Sequence, residues 1–165
     1  MSDPHSVAAF IALGSNLGDA AAHVRSGFAA LAALPRTAVS ARSSLYLSAP
    51  VGYADQNDFV NAVAAIATTL TPRALLEALL MSENQHGRVR EFLNAPRTLD
   101  LDLLVYGDLQ LHEPGLTIPH PRMHQRAFVL VPLAEIAPDC VVPGRGALRE
   151  LLRAVDPGTV RRIGR

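Results

Sequence analysis

Short apolar runs alternate along the chain with segments of helical spacing. Residues 7–13 (VAAFIAL) form an apolar run ending at Gly14 and predict a buried strand. Gly14-Ser15-Asn16 reads as a turn, with Ser15 or Asn16 capping a helix over 17–34 that Pro35 stops. From 37 to 47, β-branched and aromatic residues separated by polar ones predict a second strand. Turn residues around Pro50 and Gly52 make 48–58 a loop. Residues 59–70 predict a third strand, although four alanines leave a helix open. Thr71 as cap and Pro72 in the first turn start a helix that runs to 85 and ends at Gly87. An arginine-bearing loop over 87–98 feeds a fourth strand. Tyr106-Gly107-Asp108 predicts a hairpin turn, and 114–121 is rich in proline. Helices follow over 127–136, closed by Pro138, and over 147–155. The tail 161–165 is expected to fray.

The order strand, helix, strand, strand, helix, strand is that of the split βαβ, ferredoxin-like core (βαββαβ). The expectation is an α+β protein, a three-layer α/β/α sandwich with additional C-terminal helices, in one domain over residues 1–165. Many activities share that scaffold, so function must be argued from particular residues.

Composition narrows the class. Hydrophobic residues make up 49% and charged residues 18%, enough apolar material for a packed core and too little charge for disorder. Fifteen basic and fifteen acidic residues cancel, so no global field draws the chain to nucleic acid or an anionic membrane. Cys140 is the only cysteine, which excludes an internal disulfide and a cysteine-based zinc site. No signal peptide is visible and no apolar run is long enough to span a bilayer, so a cytoplasmic protein is expected.

The fourth strand carries the chemistry. In Arg97-Thr-Leu-Asp-Leu-Asp-Leu-Leu104, Asp100 and Asp102 point to the same face with Cα atoms roughly 6.5–7 Å apart. Leu99, Leu101, Leu103 and Val105 fill the opposite face. Two carboxylates so placed repel by about 2–4 kcal/mol at a surface-like dielectric. A strand that holds Mg²⁺ for a phosphate-bearing substrate has reason to bear that repulsion. The plainer reading is two solvated carboxylates, or carboxylates paired with neighbouring arginines. Arg88, Arg90 and Arg97 upstream and Arg122 and Arg126 downstream favour the metal, because guanidinium groups bind the remaining phosphate oxygens bidentately. Arg88 and Arg90 flank Val89 in a loop that is either solvated surface or a lid over the transferring group.

His120 and His124 are four apart, but Pro119 and Pro121 make a helical zinc pair improbable and leave His120 a hydrogen-bonding role at a phosphate. His124 is expected to be exposed. Phe59 and Phe128 are the candidate platforms for a planar ligand, and Asn61 shares the face of Phe59, offering donor and acceptor beside it. Each aromatic alone is more often core. Gly14-Ser15-Asn16 offers backbone N–H groups to an anion, or simply a helix cap. Walker, dinucleotide-binding and kinase motifs are absent from the sequence.

Several segments jointly resemble one family. They are Ile11-Ala-Leu-Gly-Ser-Asn-Leu17, Pro50-Val-Gly52, Gln56-x-Asp-Phe-Val-Asn61, Gly87-Arg-Val-Arg90, Pro96-Arg-Thr-Leu-Asp-Leu-Asp-Leu103 and Ile118-Pro-His-Pro-Arg-Met-x-x-Arg-x-Phe128. The likeness is to 6-hydroxymethyl-7,8-dihydropterin pyrophosphokinase, a folate-biosynthesis enzyme, and spans residues 7–139. The resemblance implies transfer of the β,γ-diphosphate of ATP to the hydroxymethyl oxygen of the pterin, with AMP as the other product. It implies that Asp100 and Asp102 ligate two Mg²⁺ ions and that Arg88 and Arg97 steady the phosphates, with Arg90 assisting. Phe59 and Phe128 would sandwich the pterin, whose edge Asn61 and the backbone of Ser48, Ala49 and Val51 would hydrogen-bond. Glu83, Leu103, Thr117, His120 and Arg126 would line the nucleotide site. A monomer acting on small molecules, without nucleic-acid or membrane partners, is expected. The chain departs from the family pattern at Leu80, Gly115 and Pro121, and its loop over 91–95 lacks a tryptophan that some members carry. A nucleic-acid-binding module on the same scaffold is the rival, disfavoured by zero net charge and the paired aspartates.

Overall fold

The computed structural model describes residues 5–50, 57–86 and 98–165. Strand β1 (Val7–Ser15) lies inside the sheet and outruns its apolar stretch. Gly14 and Ser15 continue the ladder opposite Asn61 and Val60, and Gly14 also faces Asp100 on the other side. The helix start moves accordingly. Helix α1 (Ala20–Ala32) is capped by Asp19, whose carboxylate accepts the Ala22 N–H at 3.1 Å. Ser15 and Asn16, the expected caps, are instead buried at the end of β1.

The predicted strand over 37–47 is two strands, β2 (Thr37–Arg42) and β3 (Leu45–Ser48), both paired with β4 (Phe59–Thr68). Ser43 bridges the break. Its N–H donates to the Val63 carbonyl at 2.9 Å and its hydroxyl accepts the Val63 N–H at 2.9 Å. The side chain stands in for a ladder carbonyl, so the buried Val63 amide stays satisfied while the edge bends. Helix α2 (Pro72–Gln85) begins as predicted, with the Thr71 hydroxyl accepting the Ala74 N–H.

Strand β5 (Asp100–Tyr106) pairs with β1 and ends the sheet. The turn at Tyr106-Gly107-Asp108 closes through Leu109 N–H to Tyr106 O at 3.0 Å, but it joins no hairpin. The hairpin lies further on, in the proline-rich stretch: β6 (Leu111–Glu113) pairs with β7 (Leu116–Ile118) around Pro114-Gly115. Gly115 supplies the positive φ of 77° that such a two-residue turn requires. A short 3₁₀ turn (Met123–Gln125) leads into α3 (Ala127–Ile136), then β8 (Val141–Val142), β9 (Gly146–Ala147) and α4 (Leu148–Arg153). The tail expected to fray forms β10 (Arg161–Gly164), paired with β3.

The main sheet runs β10-β3-β4-β1-β5, with β2 beside the far half of β4 and every pair antiparallel. One apolar cluster joins Ile11, Leu13 and Leu101 to Val24, Phe28 and Leu31 of α1 and Leu75 and Leu79 of α2. A second joins Val63, Leu104 and Val105 to Leu130 and Leu133 of α3 and Leu148 of α4. Leu99, Leu101 and Leu103 sit in the first cluster, as the alternation of β5 demands. Val105 does not, because the register slips between Phe10 and Ile11 and Leu104 is the extra residue of a bulge. Among the described residues no helix is long and apolar enough to cross a membrane.

Candidate active site

Three strands lay out the site in register. Gly14 of β1 sits between Asn61 of β4 and Asp100 of β5, and Ala12 sits between Val63 and Asp102. Residues directly opposite share a face, and so do residues two apart on one strand. Phe59, Asn61, Gly14, Ala12, Asp100 and Asp102 therefore face the same side of the sheet, the side on which α3 packs against β4. With adjacent strands about 4.8 Å apart, roughly 10 Å separates the Asn61 and Asp100 backbones. Only a glycine lies between them. An ideal Cβ at Gly14 would meet Asn61 Oδ1 at 3.4 Å and Phe59 Cδ1 at 4.0 Å, which ties the floor to the pair beside it.

Asp100 and Asp102 are both half-buried, flanked by the buried Leu101 and Leu103. The carboxylate of Glu83, on α2, reaches the outer edge of β5 and accepts the Leu101 N–H at 2.7 Å. Glu83 is itself only 2% exposed, so this bond fixes the strand between the two aspartates. The donor set on the site face is two hard carboxylates. That set fits Mg²⁺, which takes one or two carboxylates and completes its shell with water and substrate phosphate. Among the described residues no three His, Cys, Asp or Glu side chains converge as a metal cluster.

His120 joins the same neighbourhood. Its N–H donates to the carbonyl of the bulged Leu104 at 2.8 Å, and its Nδ1 accepts the Arg122 N–H at 3.2 Å. Burial pushes the imidazole down to about 4, aided by the Arg126 and Arg122 guanidinium groups and opposed by Asp100. At neutral pH the ring is uncharged, and with Nδ1 accepting, the proton sits on Nε2. His124 is half-buried rather than exposed, with Nδ1 enclosed and lacking a hydrogen-bond partner. Pro119 and Pro121, on either side of His120 in the chain, border an open cavity of about 390 Å³ together with His112, Thr117 and Arg145. Pairing of β6 with β7 sets His112 opposite Thr117, and His112 Nδ1 lies 3.1 Å from the Thr117 hydroxyl.

A sequence model of the family described as 7,8-dihydro-6-hydroxymethylpterin-pyrophosphokinase (HPPK) matches residues 10–138. The chain belongs to this family. It is similar to the 2-amino-4-hydroxy-6-hydroxymethyldihydropteridine pyrophosphokinase of Methylorubrum extorquens, 47% identical over 155 residues, covering 94% of this chain and 98% of that relative. The enzyme of the same name from Pseudomonas aeruginosa is 48% identical over 145 residues, covering 88% of this chain and 90% of its own. Among solved structures, wild-type Plasmodium falciparum HPPK-DHPS with pteroate superimposes with a TM-score of 0.69 at 14% identity. That likeness is one of fold. It covers 90% of this chain, which spans only 42% of the longer protein.

The structure describes the surroundings of part of the set expected for a member of the pyrophosphokinase family. Val51, Arg88, Arg90 and Arg97 lie outside the described residues. Asn61 and Ser48 are buried and mutually bonded, Asn61 Nδ2 donating to Ser48 Oγ at 2.6 Å. The Ala49 N–H donates to the Thr159 hydroxyl at 2.9 Å, so that donor is already engaged within the protein. Arg126 lies over the Phe128 ring, 5.6 Å from its centroid. Thr117 borders the cavity. Leu103 is 6% exposed in the α1–α2 core, so its side chain lies on the face away from the aspartates. Sequence reasoning passed over Gly14 as part of the floor and His112 as a cavity residue. The Pro114-Gly115 turn was the available signal for His112, since it sets residue 112 opposite 117. Nothing in the sequence marked Thr159.

Proposed function

We propose that this chain transfers the terminal diphosphate of ATP, as one unit, to 6-hydroxymethyl-7,8-dihydropterin, a step of folate biosynthesis. The hydroxymethyl oxygen attacks the β-phosphorus, the bond from that phosphorus to the oxygen bridging to the α-phosphate breaks, and AMP leaves with that oxygen. The hydroxyl proton is released. The observation that carries the reading is the shared sheet face: an aromatic and an amide side chain at Phe59 and Asn61 and a carboxylate pair at Asp100 and Asp102, separated by Gly14.

On this reading Asn61, Ser48 and the backbone around Ala49 and Val51 read the amide-like edge of the pterin, and Phe59 and Phe128 cover its faces. Arg126, which lies over Phe128, would yield the ring to the pterin and turn its charge to phosphate. Neutral His120 offers its Nε2–H to a phosphate oxygen without adding charge. Thr117 lines a cavity whose volume of about 390 Å³ suits a small-molecule site. Glu83 contributes by holding the start of β5, and Leu103 by anchoring it to the core. Arg88, Arg90 and Arg97 would steady the phosphates.

Two Mg²⁺ ions would be held by Asp100 and Asp102, and when bound they neutralise the phosphates and acidify the hydroxyl. Phosphoryl transfer asks the protein mainly for positioning and charge complementarity, which is what this set of residues supplies. The strand order supports a ferredoxin-like core with helices on both faces, forming one domain over residues 1–165, and we read the protein as a cytoplasmic monomer. The test is incubation with ATP, Mg²⁺ and the hydroxymethyl pterin, scored for AMP. Asp100→Asn combined with Asp102→Asn should abolish AMP formation while the protein stays folded. Undiminished turnover in that variant, or full activity in excess chelator, would refute the mechanism.

A further inference from the structure

The chain's last residues close around the proposed heterocycle end of the site. Strand β10 pairs with β3 through Arg161 opposite Leu47 and Arg162 opposite Tyr46. Just before it the backbone turns tightly: Asp156 Oδ1 accepts the Gly158 N–H at 2.9 Å, and Val160 N–H donates to Pro157 O at 3.0 Å. Gly158 takes a positive φ of 54° there. The turn delivers the Thr159 hydroxyl to the Ala49 N–H at 2.9 Å. Arg25 then ties the far end to α1, donating from Nε and Nη2 to the Arg165 carbonyl at 3.2 and 2.8 Å.

A second attachment runs through α3. Arg162 Nη2 lies 3.9 Å from the Glu135 carboxylate. Glu135 accepts the Ser44 N–H and Ser44 hydroxyl at 2.9 Å each and the Tyr46 hydroxyl at 2.7 Å. Tyr46 stands opposite Asn61 in the ladder. The same short segment thus touches the backbone next to Ser48 and, through Glu135, the helix that carries Phe128.

We propose that residues 157–165 act as a strap that positions the pterin-binding lip, with Thr159 the positioning residue for the Ser48–Ala49 peptide. The inference rests on the reading that Ser48, Ala49 and Asn61 hold the pterin. A peptide group is planar and trans, so anchoring the Ala49 N–H also fixes the Ser48 carbonyl, which points the opposite way. That carbonyl points toward β4, where Ser48 stands opposite Phe59, so without the anchor the peptide is held from the β4 side alone and the lip that Ser48 and Phe59 form loses one of its two constraints. The bond is exposed, so its loss should be felt in recognition far more than in folding.

The experiment uses the full chain with Thr159→Val, which keeps the shape and removes the acceptor, and Thr159→Ser, which restores it. AMP formation is followed while pterin and ATP are varied separately, with thermal unfolding as control. Thr159→Val should raise the pterin KM roughly threefold to tenfold, the range expected for one hydrogen bond. The ATP KM and the melting temperature should hold, and Thr159→Ser should return the pterin KM to its original value. Arg162→Gln should move the pterin KM in the same direction. A pterin KM unmoved by Thr159→Val, or one that rises together with the ATP KM, overturns the strap. Absence of AMP from the unaltered chain would instead sink the functional reading.

Discussion

Replacing Gly14 by alanine separates stability from catalysis more sharply than any other change at the site. The backbone at Gly14 is regular strand paired on both sides, so alanine brings no conformational strain. Its Cβ would lie 3.4 Å from Asn61 Oδ1, 3.9 Å from the Val60 carbonyl and 4.0 Å from Phe59 Cδ1, all ordinary contacts. A glycine inside a strand costs about 0.5–1 kcal/mol relative to alanine, so the variant should be the more stable protein. For a chain of this size that corresponds to a melting temperature higher by about 1–4 °C. Turnover should move the other way. On the proposed reading the reacting oxygen and phosphorus meet over Gly14, between Asn61 and Asp100, and a methyl group there would displace one of them. A misplacement of about 1 Å is worth on the order of 100-fold in rate. Thermal unfolding and initial rates of AMP release measure both effects on one preparation. A stabilised Gly14→Ala enzyme with undiminished turnover would show that the substrates do not cross this floor, and the site geometry would have to be abandoned.

Glu83→Ala should destabilise the protein by about 1–3 kcal/mol, since the buried Leu101 amide is left without its acceptor; urea unfolding matching the parent would refute that bond's importance. Glu135 is pushed up by burial but pulled down more by its bonds to Tyr46 and Ser44 and by Arg162, so its carboxyl sits below its ordinary 4.5. The sign follows: its stabilisation is complete above that value and is lost as pH falls through the lower folded one. Glu135→Gln should therefore flatten the acid limb of the stability profile, and an unchanged limb would contradict it. Burial and the Glu135 bond push the Tyr46 phenol to about 12, so its absorbance should titrate at higher pH than that of an exposed tyrosine. Burial also raises the Cys140 thiol, which should react slowly with a disulfide reagent at pH 7 until the chain is unfolded.

The fold was legible wherever hydrophobic period and punctuation agreed. Thr71-Pro72 marked the start of α2, and the boundaries of α3 follow the apolar stretch closed by Pro138. Misreadings came where a distant partner decided. Ser15 and Asn16 look like caps, but pairing of Gly14 with Asn61 and Ser15 with Val60 carries the strand to Ser15, and the helix starts later under an Asp19 cap. The break at Ser43 depends on a hydroxyl standing in for a ladder group, which no local pattern announces. The tail at Arg161–Gly164 is polar and reads as frayed, yet the open edge of β3 gives it backbone partners. Of the site, the alternation in Asp100-Leu-Asp102 was enough to place both carboxylates together. Gly14 was read as part of a turn, and its place as floor was missed, because its contribution is the lack of a side chain between two loaded strands.

The bulge at Leu104 does more than redirect Val105. Its carbonyl takes the His120 N–H, so one irregularity sets both where the second apolar cluster begins and where the imidazole stands. A slip of β5 by a single residue would drive two acidic groups into hydrocarbon and turn three leucines toward water. The strand is thereby keyed to one alignment. Insertions or deletions between positions 99 and 106 should be among the least tolerated lesions anywhere in this polypeptide.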